Sequence, residues 1–162
     1  MMPLKNAPVV STQMLIRKPV AEVFEAFVNP AITTKFWFTR SSGRLEPDKT
    51  ITWEWEMYGV SSQVEVKAVE LDNRIVIEWD DPPCPVEWQF IPQGDAATLV
   101  KISNSGFQGS DDEVVTQAID SMSGFTMVLA GLKALLEHGI RLDLVPDHHP
   151  EALTESWNNR SE

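Results

Sequence analysis

The sequence predicts a single α+β domain in which a curved antiparallel sheet wraps around a long C-terminal helix, with two short helices between the first and second strands. From Gly43, apolar and polar residues alternate with a period of two for about sixty residues, as in successive antiparallel strands. Apolar residues at helical spacing follow Pro19, and a longer helical stripe runs from Ser110 to His138. Because each element must bury its apolar face, we expect the long helix to cover the concave side of the sheet.

The first elements are marked by composition and by proline. Residues 9–17 are rich in β-branched and apolar side chains and are predicted to form the first strand. Pro19 suits the first turn of a helix, and the apolar residues after it recur every three or four positions until Asn29 and Pro30. A second short helix is predicted over residues 31–37.

The alternating region is predicted to be a meander with one buried face. A change of phase near Ala68 predicts a β-bulge. The predicted inward rows are Ile51, Trp53, Trp55 and Met57; Val60, Ser62, Val64 and Val66; Ile75, Ile77 and Trp79; Val86, Trp88 and Phe90; and Thr98, Val100, Ile102 and Asn104.

The long helix has a start signal and a stop signal. Ser110 is a candidate N-cap followed by three carboxylates, and Gly139 is a candidate C-terminal stop. Its predicted buried stripe is Val115, Ala118, Ile119, Met122, Phe125, Leu129, Leu132 and Leu136. We therefore assign the domain to residues 1–140. Residues 141–162 form a polar tail with Trp157 as its large apolar residue, for which we expect partial order and at most a short helical turn near residues 151–157.

Composition excludes some partners. The formal charge is −11, from 24 acidic and 13 basic side chains, which disfavours nucleic acid and anionic membranes because both bind through Lys and Arg. Cys84 is the only cysteine, so no intramolecular disulfide can form, and it is predicted to be a loop thiol. No signal-peptide pattern and no apolar run of bilayer length is recognised in the sequence, and we expect a cytoplasmic protein.

The aromatic residues define the candidate site. The chain has six Trp and seven Phe but one Tyr, and four of the Trp residues fall in inward rows. Such rings either line a pocket for an apolar ligand or fill a solid core, and the pattern alone leaves both interpretations open. Asn104 ends an apolar row and needs a hydrogen-bond partner or a place at a cavity mouth. The candidate ligand-binding residues are Trp37, Trp53, Trp55, Trp79, Trp88, Phe90, Asn104, Met122 and Phe125.

No catalytic residue, cofactor or metal site is predicted. The three histidines are C-terminal, and His148 and His149 are adjacent residues in the tail, where neighbouring side chains usually point apart. The predicted outward-facing carboxylates are Glu54, Glu56, Glu65 and Glu78.

Several segments resemble a known family. Residues 19–30 with Lys35-Phe36-Trp37-Phe38 resemble the "PAPPEEVWDAWTDPEKLRQWF" opening of the homologues of the heat-shock-protein ATPase activator, within the START-like (SRPBCC) superfamily. Residues 43–45, 75–79 and 97–107 are similar to three of its strands, and residues 132–137 are similar to its closing "LKRYLE". The resemblance covers residues 9–138 and implies the helix-grip fold, with a cavity between the sheet and the C-terminal helix.

The resemblance implies fold more strongly than activity. Members of the superfamily include lipid and hormone binders, polyketide cyclases and dehydrases, and co-chaperone domains. Asn104 stands where a His is common, which removes the most plausible titratable group facing the cavity, and Gly124-Phe125 stands where Gly-Trp is common.

Three functions follow from these observations. The preferred hypothesis is a binding protein, monomeric or homodimeric, for a hydrophobic or aromatic molecule such as a lipid or polyketide. The alternative is a co-chaperone-like domain that acts on a chaperone ATPase, with the role in stress response that the family name suggests. The third is a cyclase- or dehydrase-type enzyme that uses Asn104 with Gln89 or Ser62.

Overall fold

A computed structural model describes residues 3–150 and confirms the predicted α+β fold. The sheet has seven antiparallel strands in the order β1-β7-β6-β5-β4-β3-β2. The strands are β1 (Val10–Ile16), β2 (Arg40–Ser41), β3 (Thr50–Trp55), β4 (Val60–Glu70), β5 (Arg74–Trp79), β6 (Cys84–Pro92) and β7 (Thr98–Asn104). The helices are α1 (Val20–Val28), α2 (Pro30–Thr33), α3 (Asp111–His138) and α4 (Leu144–His148).

The two short helices cross from one edge of the sheet to the other, since β1 and β2 are its edge strands. Helix α1 buries Val23, Phe24 and Phe27. Helix α2 begins where the Asn29 side chain accepts a hydrogen bond from the Ala31 N–H. It is shorter than the predicted 31–37 because the chain continues as hydrogen-bonded turns, which bring Trp37 into the core.

The meander agrees with the period-two pattern in most of its length. The bulge predicted near Ala68 is present as a register shift between Val66 and Ala68. The alternation is wrong at the β3–β4 turn, where a 3₁₀ turn over Glu56–Tyr58 removes Met57 from the inward row and leaves Val60 exposed. Strand β2 also precedes the segment 43–45 in which the first short strand was expected.

The expectation that Cys84 is a loop thiol is wrong. It is the first residue of β6, pairs with Trp79 across the ladder and is buried. Burial raises the pKa of the Cys84 thiol, and the neighbouring Asp80 carboxylate raises it further.

Helix α3 begins at the predicted cap, but the face that it buries differs from the predicted stripe. Ser110 and Glu113 form a reciprocal capping box, and Gly139 ends the helix in the left-handed conformation. The residues that α3 buries are Val114, Phe125, Val128, Leu129, Gly131 and Leu132. Val115, Ile119 and Met122 are instead exposed beside β1, so the predicted stripe is wrong over the first half of the helix.

The expectation that no apolar run reaches bilayer length is wrong, because helix α3 has the length and apolar composition of a membrane span. Its second half packs on the sheet through Phe125, Leu129 and Leu132. This packing accounts for the apolar residues of the second half, whereas 28% of the most apolar stretch of the helix is buried in all.

The segment after residue 140 packs against the domain as far as it is described. Helix α4 contacts α3, and the Tyr58 hydroxyl donates a hydrogen bond of 2.8 Å to the Val145 carbonyl. The helical turn expected near residues 151–157 and Trp157 lie outside the described residues.

Candidate functional site

Trp37 is the centre of an aromatic cluster between the sheet and α3. Its ring centroid lies 4.8 Å from that of Trp53, 6.0 Å from Trp88, 6.2 Å from Trp79 and 5.8 Å from Phe125. Contacts at 4.5–7 Å with tilted planes are favourable for aromatic pairs. The cluster therefore joins the solid core on one side to an open cleft on the other.

A cleft of about 350 Å³ lies beside this cluster, under the first half of α3. We call it the Asn104 cleft. Strands β5 and β7 flank β6, and both end at the cleft. Their ends are level, since Val86 of β6 pairs with Ile77 of β5 on one side and with Asn104, the last residue of β7, on the other. Its lining residues are Trp37, Trp79, Asp80, Asn104, Phe107, Gln117, Asp120, Ser121, Gly124, Phe125, Met127, Val128 and Val145.

Asn104 is the buried polar group of the cleft. Its residue surface is 3% exposed, and its Nδ2 donates a hydrogen bond of 2.9 Å to the Ser121 Oγ. Its Oδ1 is buried and has no hydrogen-bond donor. A buried carbonyl oxygen without a donor costs about 1–3 kcal/mol, so a ligand or water that donates to it is stabilised there.

The loop after β7 forms one wall of the cleft through Phe107. Gly106 positions this loop with a φ of +81°. A Cβ at this position would lie 3.1 Å from the Pro85 Cδ and 3.3 Å from the Pro83 carbonyl oxygen. The close approach of the loop to the start of β6 therefore requires glycine.

Gly124 keeps the helix wall of the cleft open. A Cβ added to Gly124 would meet no atom within 4 Å, whereas one added to Gly131 would lie 3.4 Å from the Phe36 Cβ. Glycine inside a helix costs about 1 kcal/mol relative to alanine. Close packing explains Gly131, but no packing contact explains Gly124.

The mouth of the cleft is acidic. Asp80 and Asp120 line it, both are exposed, and no Lys, Arg or His is among the lining residues. Partial burial raises the pKa of the Asp80 carboxyl above its ordinary value.

The structure sorts the predicted site residues into three groups. Trp37, Trp79, Asn104 and Phe125 line the cleft. Trp53, Trp88 and Phe90 are in the solid core, and both indoles are 1% exposed. Trp88 nevertheless touches the Phe125 ring, and its buried Nε1–H has no acceptor.

Trp55 and Met122 lie away from the cleft. Trp55 is half-buried and borders a separate shallow pocket with Tyr58, Val60 and His149. Met122 is 44% exposed and faces the groove between α3 and residues 8–11, because α3 buries a different face from the predicted one. The expectation that Met122 contributes to the cavity wall is thus corrected.

Sequence reasoning missed the polar and small residues on the cleft side of α3. Gln117, Ser121, Gly124 and Val128 follow one another at spacings of four, three and four. This is the spacing of one helix face. The face is weakly apolar, so the hydrophobic pattern favours the more apolar stripe beside it.

The other candidate chemistry is not assembled at the cleft. Gln89 is exposed on the outer face of β6, and Ser62 of β4 is not among the cleft residues. Within residues 3–150, no group of three or more His, Cys, Asp or Glu side chains is placed to hold a metal ion.

Comparison with solved structures gives the same fold. Protein SSP2350 from Staphylococcus saprophyticus is 32% identical, with a TM-score of 0.74 over 84% of this chain and 96% of that chain. DynU16, encoded in the dynemicin biosynthetic locus, is 20% identical with a TM-score of 0.68 over 82% of this chain and 48% of that chain. The Aha1 dimer from Colwellia psychrerythraea is 15% identical with a TM-score of 0.70 over 82% of this chain and 98% of that chain.

No curated protein matches the chain. Residues 17–137 match the family model described as activator of Hsp90 ATPase homolog 1-like protein, and the match includes β2–β7, α1, α2 and nearly all of α3. The chain therefore belongs to the family of activator of Hsp90 ATPase homolog 1-like proteins.

Proposed function

We propose that the protein binds a small apolar or aromatic molecule in the Asn104 cleft. The observation that carries the proposal is an aromatic-walled space of about 350 Å³ whose lining includes Asn104, a buried polar side chain with an Oδ1 that has no donor. Binding sites for small molecules typically combine apolar walls with a few buried polar groups that orient the ligand. The similarity in fold to DynU16 agrees with a small-molecule role and adds no detail about the ligand.

Gly124 supports the proposal independently. The helix bears the cost of an interior glycine where no neighbouring atom requires one. A larger side chain there would occupy the space of the cleft. The residue is therefore explained if the empty volume is needed for a ligand.

The test is a titration of lipids, flavonoids and other hydrophobic molecules, followed by intrinsic Trp fluorescence and melting temperature. A ligand at a hundredfold excess over its Kd adds about 2.7 kcal/mol of stability. This corresponds to a rise of roughly 5–10 °C in Tm for a chain of this size. Trp37 and Trp79 line the cleft, so binding also changes the fluorescence.

Two variants distinguish cleft binding from adsorption to the surface. Gly124→Leu fills the cleft and is expected to abolish binding without unfolding the protein. Thr116→Leu adds a leucine to an exposed position of the same helix and is expected to bind as the wild type does. Absence of any response to the whole panel, or equal binding by Gly124→Leu, would contradict the proposal.

A second candidate function is stimulation of a chaperone ATPase, which the description of the family favours. The acidic surface, with a net charge of −11, would then contact the chaperone. Purified protein added to an Hsp90-type chaperone would raise its ATPase rate. Unchanged ATPase rates at saturating protein would reject this candidate. A cytoplasmic location remains our expectation, which the single cysteine supports.

A further inference from the structure

We infer that the Asn104 cleft selects a cationic ligand: an apolar or aromatic molecule that ends in a protonated amine. The inference rests on the proposed function and specifies its ligand class. Three features of the cleft support it, namely the charges at its mouth, the acceptor in its wall and the arrangement of its rings.

The charges at the mouth are of one sign. Asp80 and Asp120 are the ionisable side chains among the lining residues, and no lining residue carries a positive charge. Within the described part of the chain neither carboxylate forms a salt bridge, although eight other ion pairs occur there. A ligand ammonium can therefore pair with them without displacing an existing partner.

The buried polar group requires a donor. Asn104 uses its Nδ2 on Ser121 and leaves its Oδ1 without a partner. An ammonium group has three donors and no acceptor, so it suits a lining side chain whose unpaired group is an acceptor. A carboxylate offers acceptors alone at neutral pH, so it supplies no donor to Asn104 and is repelled by Asp80 and Asp120.

The rings provide a surface that stabilises a cation. Trp37, Trp79 and Phe125 contact one another, with centroid separations of 5.8 Å for both pairs that include Phe125 and 6.2 Å for the tryptophan pair. All three also line the cleft. Aromatic faces attract cations, and Trp does so most strongly. The same walls accept the apolar part of the ligand.

The experiment compares three probes that share one hydrocarbon skeleton: 4-phenylbutylamine, 4-phenylbutanol and 4-phenylbutyrate. Isothermal titration calorimetry at pH 7 and low salt is expected to give a Kd for the amine about tenfold lower than for the alcohol, equivalent to about 1.4 kcal/mol. The acid is expected to bind more weakly than the alcohol. High salt is expected to reduce the preference for the amine, since charges at the mouth are screened.

Charge variants locate the effect. Asp120→Asn and Asp80→Asn are each expected to weaken binding of the amine several-fold and to leave binding of the alcohol unchanged. Asp95→Asn is the control, because it removes the same charge far from the cleft. Asp95 lies in the turn before β7, and Asn104 lies at the other end of that strand. An equal effect of Asp95→Asn would assign the preference to the overall charge and overturn the inference.

The outcomes separate this inference from the proposed function. If the alcohol or the acid binds as tightly as the amine, and Gly124→Leu abolishes that binding, the cleft is a binding site and the cationic class is wrong. If none of the three probes and no member of the hydrophobic panel binds, both the proposed function and the inference fail.

Discussion

The Nδ2 of Asn104 donates a hydrogen bond of 2.9 Å to the Ser121 Oγ and so connects the end of β7 to the middle of α3. This bond lies at the cleft and holds the Asn104 side chain against α3. With Nδ2 bound to Ser121, the Oδ1 is left as an acceptor without a donor. The polar chemistry of the cleft is thus a consequence of one contact between the sheet and the helix.

Removal of Ser121 is expected to destabilise the protein, whereas removal of Asn104 is not. Ser121→Ala deprives the Nδ2 of its acceptor and is expected to cost about 1–2 kcal/mol of unfolding free energy. Asn104→Leu removes the unpaired acceptor together with the donor, and the apolar side chain suits its buried position. It is expected to be neutral or stabilising in urea unfolding while it abolishes ligand binding.

The double variant Asn104→Leu with Ser121→Ala provides the control. Because the bond no longer exists in Asn104→Leu, Ser121→Ala is expected to cost less in that background than in the wild type. Equal costs in both backgrounds would show that the Asn104–Ser121 bond does not contribute to stability.

The two helix glycines are expected to respond differently to alanine. Gly124→Ala places its methyl group in open space and should raise the unfolding free energy by roughly 0.5–1 kcal/mol through helix propensity. Gly131→Ala places it 3.4 Å from the Phe36 Cβ and carbonyl oxygen, so the gain is offset. Thermal unfolding of both variants measures the difference, and an equal gain at the two positions would contradict the assignment of Gly124 to open space.

The tryptophans are expected to separate into core and cleft residues. Trp53 is 1% exposed and stacks on Phe38, so Trp53→Ala is expected to cost roughly 3–5 kcal/mol of stability. Trp79 is only half-buried and lines the cleft. Trp79→Ala is expected to cost less stability and to weaken ligand binding more. Urea unfolding and ligand titration of both variants check this order, which would be wrong if Trp79→Ala were the more destabilising substitution.

The sequence predicted the elements because strand and helix periods are local properties. Alternation located the meander, the phase change located the bulge at Ala68, and Ser110 with Gly139 marked the ends of α3. The errors in the sheet occur where a short local structure interrupts the period, as in the 3₁₀ turn that displaces Met57.

The candidate site was predicted less completely because it depends on how deeply each side chain is buried and on the rotation of α3 about its axis. Period two placed Trp53 and Trp79 on the same face, but only the assembled sheet shows that Trp53 lies in the core and Trp79 at the cleft. The rotation of α3 depends on contacts with β1, such as the 2.9 Å hydrogen bond between Thr12 and Thr126. No local pattern encodes that contact, so the sequence pattern favours the exposed face with Met122.

The end of α3 provides a pH-dependent contribution to stability. Burial alone would raise the pKa of Glu137, but hydrogen bonds from Lys133 and from the Arg17 N–H outweigh it, so the pKa is held below its ordinary value. The Oε2 of Glu137 lies 2.6 Å from the Lys133 Nζ and 3.1 Å from the Arg17 nitrogen, and the side chain is 10% exposed. Lys133 also donates to the Leu15 carbonyl, which links α3 to β1.

Because the folded-state pKa of Glu137 is depressed, its contribution is complete above the unfolded-state pKa and is lost as the pH falls through the folded-state pKa. Glu137→Gln is therefore expected to lower the unfolding free energy by about 1–2 kcal/mol at pH 7. The difference from the wild type should shrink as the pH falls below the ordinary pKa of a glutamate. Glu65→Gln, which disrupts an exposed pair with Lys67, serves as the control and is expected to cost less than about 0.5 kcal/mol. Urea unfolding between pH 7 and pH 3 measures both variants, and a penalty for Glu137→Gln that stays constant across this range would show that its charge does not stabilise the junction of α3 and β1.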